Sequence, residues 1–139
     1  MILTSPGAGV RVPKAKPLIS IVDDDESMRE AIKGLMKSWG YRAEAAASAD
    51  EFLRSPHVRR TSCLIADVQM PGMSGLDLQQ HLARNGILIP TIMITAHGEA
   101  ALRGRHEQAG LVAFLLKPLH ESSLFAAIDK AIGASRGSG

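Results

Sequence analysis

The chain has 139 residues, enough for one ordinary domain and too few for two. Apolar residues make up 45% of it and charged residues 22%, a globular composition that excludes a disordered or fibrous chain. The formal charge of +2 is unevenly placed: residues 1–17 carry Arg11, Lys14 and Lys16 with no acid, so the rest holds thirteen bases against fourteen acids and gives no case for a nucleic-acid-binding face.

Residues 1–17 hold Pro6, Pro13 and Pro17 with two glycines and no periodicity, and read as a flexible arm. Met1 to Leu3 is followed at once by Ser5-Pro6-Gly7, which is not a secretory signal pattern. Leu18 to Val22 is a short β-branched run ended by acids. Glu26 to Trp39 places Met28, Ile32, Leu35, Met36 and Trp39 at helical spacing, and Gly40 stops it. Tyr41 to Ala45 reads as a second strand of low apolar content, and Ser48 as the N-cap of a short helix through Phe52 and Leu53. Cys63 to Ala66 is a buried strand ending on Asp67, and its single cysteine is expected to be a buried, inert thiol in a reducing compartment. Ser74 starts a helix with Leu76, Leu78 and Leu82 inward. Thr91 to Ile94 is a fourth strand ending on Thr95.

A helix is expected over 99–109, with Gly104 where a core residue belongs. An internal glycine costs about 1 kcal/mol relative to alanine, so this helix is expected to pack poorly. Val112 to Leu116 forms the fifth strand and leads to Lys117-Pro118. The last helix, near Glu121 to Ile132, is expected to bury Leu124, Ile128 and Ile132. The expected domain covers 18–133, with 134–139 a disordered tail. No apolar stretch reaches the roughly 18 residues of a membrane span, so the cytoplasm is the expected location.

The pattern is βα repeated five times with short connections and continuously apolar strands. That implies an α/β fold, a doubly wound parallel sheet covered by helices on both faces. In such a sheet the ligand site lies beyond the carboxyl ends of the strands. Asp23-Asp24-Asp25 follows the first strand, Asp67 the third, Thr95 the fourth and Lys117 the fifth, so all gather at one sheet edge. Clustered carboxylates repel unless a cation neutralises them, and a site of oxygen donors alone suits Mg²⁺. An Asp carboxylate can act as a nucleophile toward phosphorus, with Lys117 as a phosphate-binding charge and the Thr95 hydroxyl as a donor.

These residues resemble the receiver domains of bacterial response regulators. The matching stretches are Ile21-Val22-Asp23-Asp24-Asp25-Glu26-Ser27-Met28-Arg29, Asp67-Val68-Gln69-Met70-Pro71-Gly72-Met73-Ser74-Gly75, Ile94-Thr95-Ala96-His97-Gly98 and Phe114-Leu115-Leu116-Lys117-Pro118. The resemblance covers about 18–132, and its wording is most similar to the nitrogen-fixation-regulator subfamily. It implies the flavodoxin-like strand order 2-1-3-4-5 and Asp67 as phosphoacceptor. It further implies Mg²⁺ held by Asp24, Asp67 and the Gln69 backbone carbonyl, with Asp23 bound directly or through water. Thr95 and Phe114 would form the switch, and the Lys117-Pro118 bond would be cis, aiming the lysine into the pocket. Asp25 falls outside the acid pair and reads as a solvated turn residue. Gln69 and His97 occupy positions linked to the lifetime of the aspartyl-phosphate; His97 reads as a polar rim residue, and His57, His81, His106 and His120 as surface residues.

The implied partner is a sensor histidine kinase or phosphotransfer protein. A homodimer is allowed, although the 99–109 stretch departs from what the standard receiver dimer face requires. The protein is not expected to be an enzyme on an external substrate; it catalyses only its own phosphorylation and dephosphorylation. No helix-turn-helix pattern follows Ile132, so no direct nucleic-acid contact is expected. The chain then acts as a single-domain regulator, or alternatively is the receiver half of a longer transcription factor. Phosphatases with an Asp nucleophile resemble Asp-x-Asp, whereas Asp67-Val68-Gln69 places an amide there. A nucleotide- or flavin-binding domain of similar topology would need a phosphate loop where Asp23-Asp24-Asp25 would repel it.

Overall fold

Leu18, Ile19, Ser20, Ile21 and Val22 are buried at every position, as are Cys63 to Asp67 and Thr91 to Thr95. Strands apolar on both faces belong inside a covered parallel sheet, and the computed structural model, which describes residues 16–96 and 110–137, has that arrangement. The described elements are β1 (Leu18–Val22), α1 (Glu26–Ser38), β2 (Arg42–Ala46), α2 (Ala49–Arg54), a 3₁₀ turn (Val58–Arg60), β3 (Cys63–Asp67), α3 (Gly75–Arg84), β4 (Thr91–Thr95), β5 (Leu111–Leu116) and α4 (Glu121–Gly137). The strands lie in the order β2-β1-β3-β4-β5, all neighbours parallel, as expected. The helix expected over 99–109, with His97, Gly104 and His106, lies outside the described residues, as does the arm up to residue 15.

Alternation along the strands builds two cores. Ile19, Ile21, Cys63, Ile65, Ile92 and Ile94 join Ile32 and Met36 of α1 and Leu124, Ile128 and Ile132 of α4. Val22, Leu64, Ala66 and Met93 face the other way, onto Phe52 of α2 and Leu78 and Leu82 of α3. Leu76 packs against that second core while only partly buried. Beside it, the Ser20 and Thr61 hydroxyls share a buried hydrogen bond of 2.7 Å, which satisfies the polar groups on that face of β1. At the far end of α1, Trp39 meets Phe125 of α4 edge-to-face, ring centres 5.0 Å apart.

Helix termini follow their capping chemistry. Ser48 accepts from Glu51 N–H, and Ser74 forms a capping box with Asp77. Both α1 and α3 close with a Schellman arrangement: Gly40 N–H donates to Lys37 O and Tyr41 N–H to Met36 O, then Gly86 to Ala83 and Ile87 to Leu82. Gly40 and Gly86 have φ of +90° and +75°, which the motif requires.

Several boundaries differ from expectation; β5, for one, begins at Leu111 rather than Val112. β2 begins at Arg42 rather than Tyr41, because the Tyr41 amide is spent on closing α1 and Ala46 is needed opposite Val22. Residues 16 and 17 are part of the fold rather than of the arm: the Arg42 side chain donates to Lys16 O at 2.9 Å and its backbone N–H to Pro17 O at 3.1 Å. Finally, α4 runs to Gly137, past the tail boundary expected at 133. Its anchors Leu124, Ile128, Ala131 and Ile132 are buried, and docking that strong outweighs the roughly 1 kcal/mol cost of Gly133.

Cys63 is fully buried, as expected, and burial pushes its thiol up to about 12 from 9.0. Between those values the unfolded chain has lost the proton that the native thiol keeps. Stability therefore falls as pH rises through that window, by up to about 1.4 kcal/mol per pH unit. Denaturant unfolding at about pH 8 and about pH 10 is expected to show this fall in the wild type and a smaller one in Cys63→Ala. The native thiol should also resist a disulfide reagent that labels it fully after unfolding.

Candidate functional site

The carboxyl ends of β1, β3, β4 and β5 converge, and there the structure brings together the acids, the hydroxyl and the lysine singled out from the sequence. Asp67 ends β3, and its side chain is only 8% exposed. Its Oδ1 accepts the Gln69 N–H at 2.9 Å, and its Oδ2 accepts from Lys117 Nζ at 3.1 Å. Lys117 follows β5, which its own N–H ties to Thr95 O at 2.9 Å, and the Lys117-Pro118 bond is cis, as expected. Thr95 is fully buried at the end of β4. Phe114, on β5, lies opposite Met93 of β4 and packs half-buried against the second core.

Asp23 is buried at the end of β1, and its backbone is held from both sides. Its N–H donates to Ala46 O at 3.2 Å and its O accepts from Arg29 Nη1 at 2.9 Å. Its Oδ1 accepts the Asp25 N–H at 2.9 Å, whereas Oδ2 is buried with no hydrogen-bond partner and lies 3.9 Å from Lys117 Nζ. Burial raises the Asp23 carboxyl above its ordinary value; the Asp25 N–H opposes this and the neighbouring Asp67 charge adds to it. Burial alone would lower the Lys117 ammonium, but its hydrogen bond to Asp67, with the charges of Asp67, Asp23 and Asp25, leaves it raised overall.

One carboxylate oxygen from each of Asp23, Asp24 and Asp67 lies within 4.8 Å of the others, with Asp24 exposed and the other two buried. The donor set is all oxygen, and a buried carboxylate oxygen lacks any proton donor. Both observations fit a hard divalent cation such as Mg²⁺ and neither fits a softer metal.

Two residues do more here than sequence reasoning assigned to them. Asp25 is exposed, but it is the N-cap of α1: its Oδ1 accepts from Ser27 and Met28 N–H. The signal was present, since an acid directly before an apolar-periodic run is a capping position. Gly75 opens α3 against the end of β3, its N–H donating to Val68 O at 3.1 Å. A Cβ there would stand 2.4 Å from Asp67 O and 3.1 Å from Met93 Sδ. Alanine gains about 1 kcal/mol of helix propensity, but overpacking against immovable backbone costs about 1–3 kcal/mol and displaces Asp67. Gly75→Ala is therefore expected to be less stable by thermal unfolding; a more stable protein would refute the close-approach role.

His57 lies 3.8 Å from Glu44 and is half-buried, His81 is half-buried and His120 is exposed. None joins the acidic cluster. Among the described residues no helix is long and apolar enough to cross a membrane.

A family model described as the response regulator receiver domain matches residues 19–129. Nodulation protein W of Bradyrhizobium diazoefficiens is 42% identical over 121 residues, covering 87% of this chain and 53% of that protein. The transcriptional regulatory protein FixJ of Rhizobium meliloti is 34% identical, covering 81% and 55%. Among solved structures, the response regulator StyR superposes with a TM-score of 0.82 at 38% identity, covering 89% of this chain and 63% of that one. The chain spans about half the length of these two curated relatives.

Proposed function

The chain belongs to the response regulator receiver domain family, and from that premise we propose that Asp67 is its phosphoacceptor, charged by a sensor histidine kinase or a phosphotransfer protein. The single observation that carries this is the buried Asp67 carboxylate, held at 3.1 Å by Lys117 beside two further acids. In the transfer, an Asp67 carboxylate oxygen forms the bond to phosphorus as the bond from phosphorus to the donor imidazole nitrogen breaks, and the electron pair stays on that nitrogen. The Gln69 N–H fixes the rotation of the carboxylate about its own axis. Lys117 exchanges its contact with Asp67 for one with a transferred phosphoryl oxygen, and the Thr95 hydroxyl donates to another.

Asp24, Asp67 and the Gln69 backbone carbonyl are the residues that would hold Mg²⁺, with Asp23 bound directly or through water. The ion supplies neutralisation of phosphoryl oxygens. Thr95 and Phe114 then couple phosphorylation to a surface change: Thr95 closes toward the phosphoryl group, and Phe114 moves inward behind it. The chain acts on no external substrate. Gln69 offers no acid to protonate a leaving group, so turnover of a generic phosphate ester is expected to be absent.

The test is a panel of autophosphorylated histidine kinases incubated with the chain, in which a cognate kinase transfers label within seconds and others do not. No label from any kinase or from a small phosphoryl donor would overturn the proposal. A receiver joined to an output domain is the second reading, favoured by the relatives being about twice as long as the matched region.

A further inference from the structure

In a parallel α/β sheet the helices start at the acceptor edge and finish at the opposite one. First turns here carry Glu26, Asp50, Glu51, Asp77 and Glu121, while last turns carry Lys37, Arg54, His81 and Arg84, which complements the helix dipoles. That accounts for bases at the far edge singly. It does not account for their convergence at one corner, where Lys37 of α1, Arg42 of β2 and Arg60 of the 3₁₀ turn line a single open cleft of about 400 Å³. Arg42 stands on a strand, where no helix dipole calls for it.

Leu18 and Ala43 add apolar lining, and the remaining residues are Glu44 and His57. The Arg42 Nε–H donates to Lys16 O at 2.9 Å, which orients the guanidinium and leaves its Nη groups for another acceptor. Among the described residues, Lys37 and Arg60 have no side-chain hydrogen bond or ion pair, whereas Arg54 is paired with Asp50. Glu44, the one carboxylate lining the cleft, lies 3.8 Å from His57. The cleft therefore presents three cations and one carboxylate around a concave surface, an excess of positive charge.

We propose that this cleft binds a small diphosphate-bearing anion, at the end of the sheet opposite Asp67. Guanidinium forks match phosphate oxygens two at a time, and Lys37 adds a point charge. Three cations exceed what a monocarboxylate would use, and the volume lies within the range of small-molecule sites. A nucleic-acid surface would instead present a stripe of bases along successive phosphates. The inference does not depend on the phosphoacceptor reading.

The test is calorimetric titration of the whole chain with inorganic pyrophosphate and with ADP, in the absence of Mg²⁺. Saturable one-to-one binding is expected, at least about 10-fold weaker in Arg42→Gln and in Arg60→Gln and unchanged in Asp67→Asn. Because Arg42→Gln also loses the tie to Lys16, Arg60→Gln is the deciding variant; its unfolding temperature and its phosphoryl acceptance should match the wild type. No saturable heat at millimolar ligand, binding unaffected by Arg60→Gln, or binding lost in Asp67→Asn would each overturn the proposal. So would duplex DNA binding with the same arginine dependence and higher affinity.

Discussion

Phosphoryl transfer to Asp67→Asn is expected to fall by at least about 10³-fold, below detection by intact mass or radiolabel. Loss of a nucleophile leaves only positioning and electrostatics, and about 4 kcal/mol of barrier is the smallest penalty consistent with that change. The substitution is otherwise mild. Asparagine keeps a carbonyl oxygen for the Gln69 N–H, and Lys117 retains Asp23 at 3.9 Å, so the fold should persist with an unfolding temperature close to the wild type. Label that survives undiminished would place the acceptor elsewhere and sink the assignment. A folded but unlabelled Asp67→Asn, beside a labelled wild type, separates lost chemistry from lost structure.

Asp23→Asn is expected to move two observables in opposite directions. Without metal the variant should be more stable, by about 1–2 kcal/mol. It removes a buried anion whose Oδ2 has no proton donor and puts a neutral amide in its place beside the neighbouring carboxylates. Its lost attraction to Lys117 at 3.9 Å offsets only part of this gain. With Mg²⁺ the order should reverse, because the wild type gains stability by binding the ion to its folded state and the variant loses most of that gain.

The pH dependence gives a second check on Asp23. Its folded carboxyl titrates above the unfolded 3.8, so in that window the native state holds more protons than the unfolded one. Metal-free stability therefore falls as pH rises through the window, and the Asp23→Asn substitution removes that contribution. A metal-free Asp23→Asn less stable than the wild type at neutral pH would show that the carboxylate is already satisfied.

The sheet and its reactive edge were legible because the relevant signals are local. Apolar runs such as Cys63-Leu64-Ile65-Ala66 stop on an acid, and the parallel topology then carries those acids to one edge whatever the loops do. The second role of Asp25 was legible in principle. Asp25 reads as a solvated turn residue beside the acid pair, yet it caps α1, while Asp23 is buried and Asp24 exposed in the cluster. Gly75 was not legible, because its constraint is a carbonyl eight residues earlier that approaches only after β3 and α3 have packed. The end of α4 was misread for a similar reason: glycines at 133 and 137 weaken a helix in isolation, but five buried residues, Leu124, Ala127, Ile128, Ala131 and Ile132, dock it. The start of β2 turned on one amide, claimed by the closing turn of α1 before the strand could use it.

Trp39 is the chain's one tryptophan, and it sits edge-on to Phe125 at the end of α1 remote from the acids. Its indole is thereby a built-in optical probe of whether α1 and α4 remain docked. Emission from a half-buried ring beside an aromatic partner shifts to the red as the pair separates into water. Because the pair lies away from Asp23, Asp24 and Asp67, Mg²⁺ should leave that emission largely unquenched. The same fluorescence can then follow unfolding of Asp23→Asn, Gly75→Ala and Cys63→Ala with and without the ion, free of any added dye.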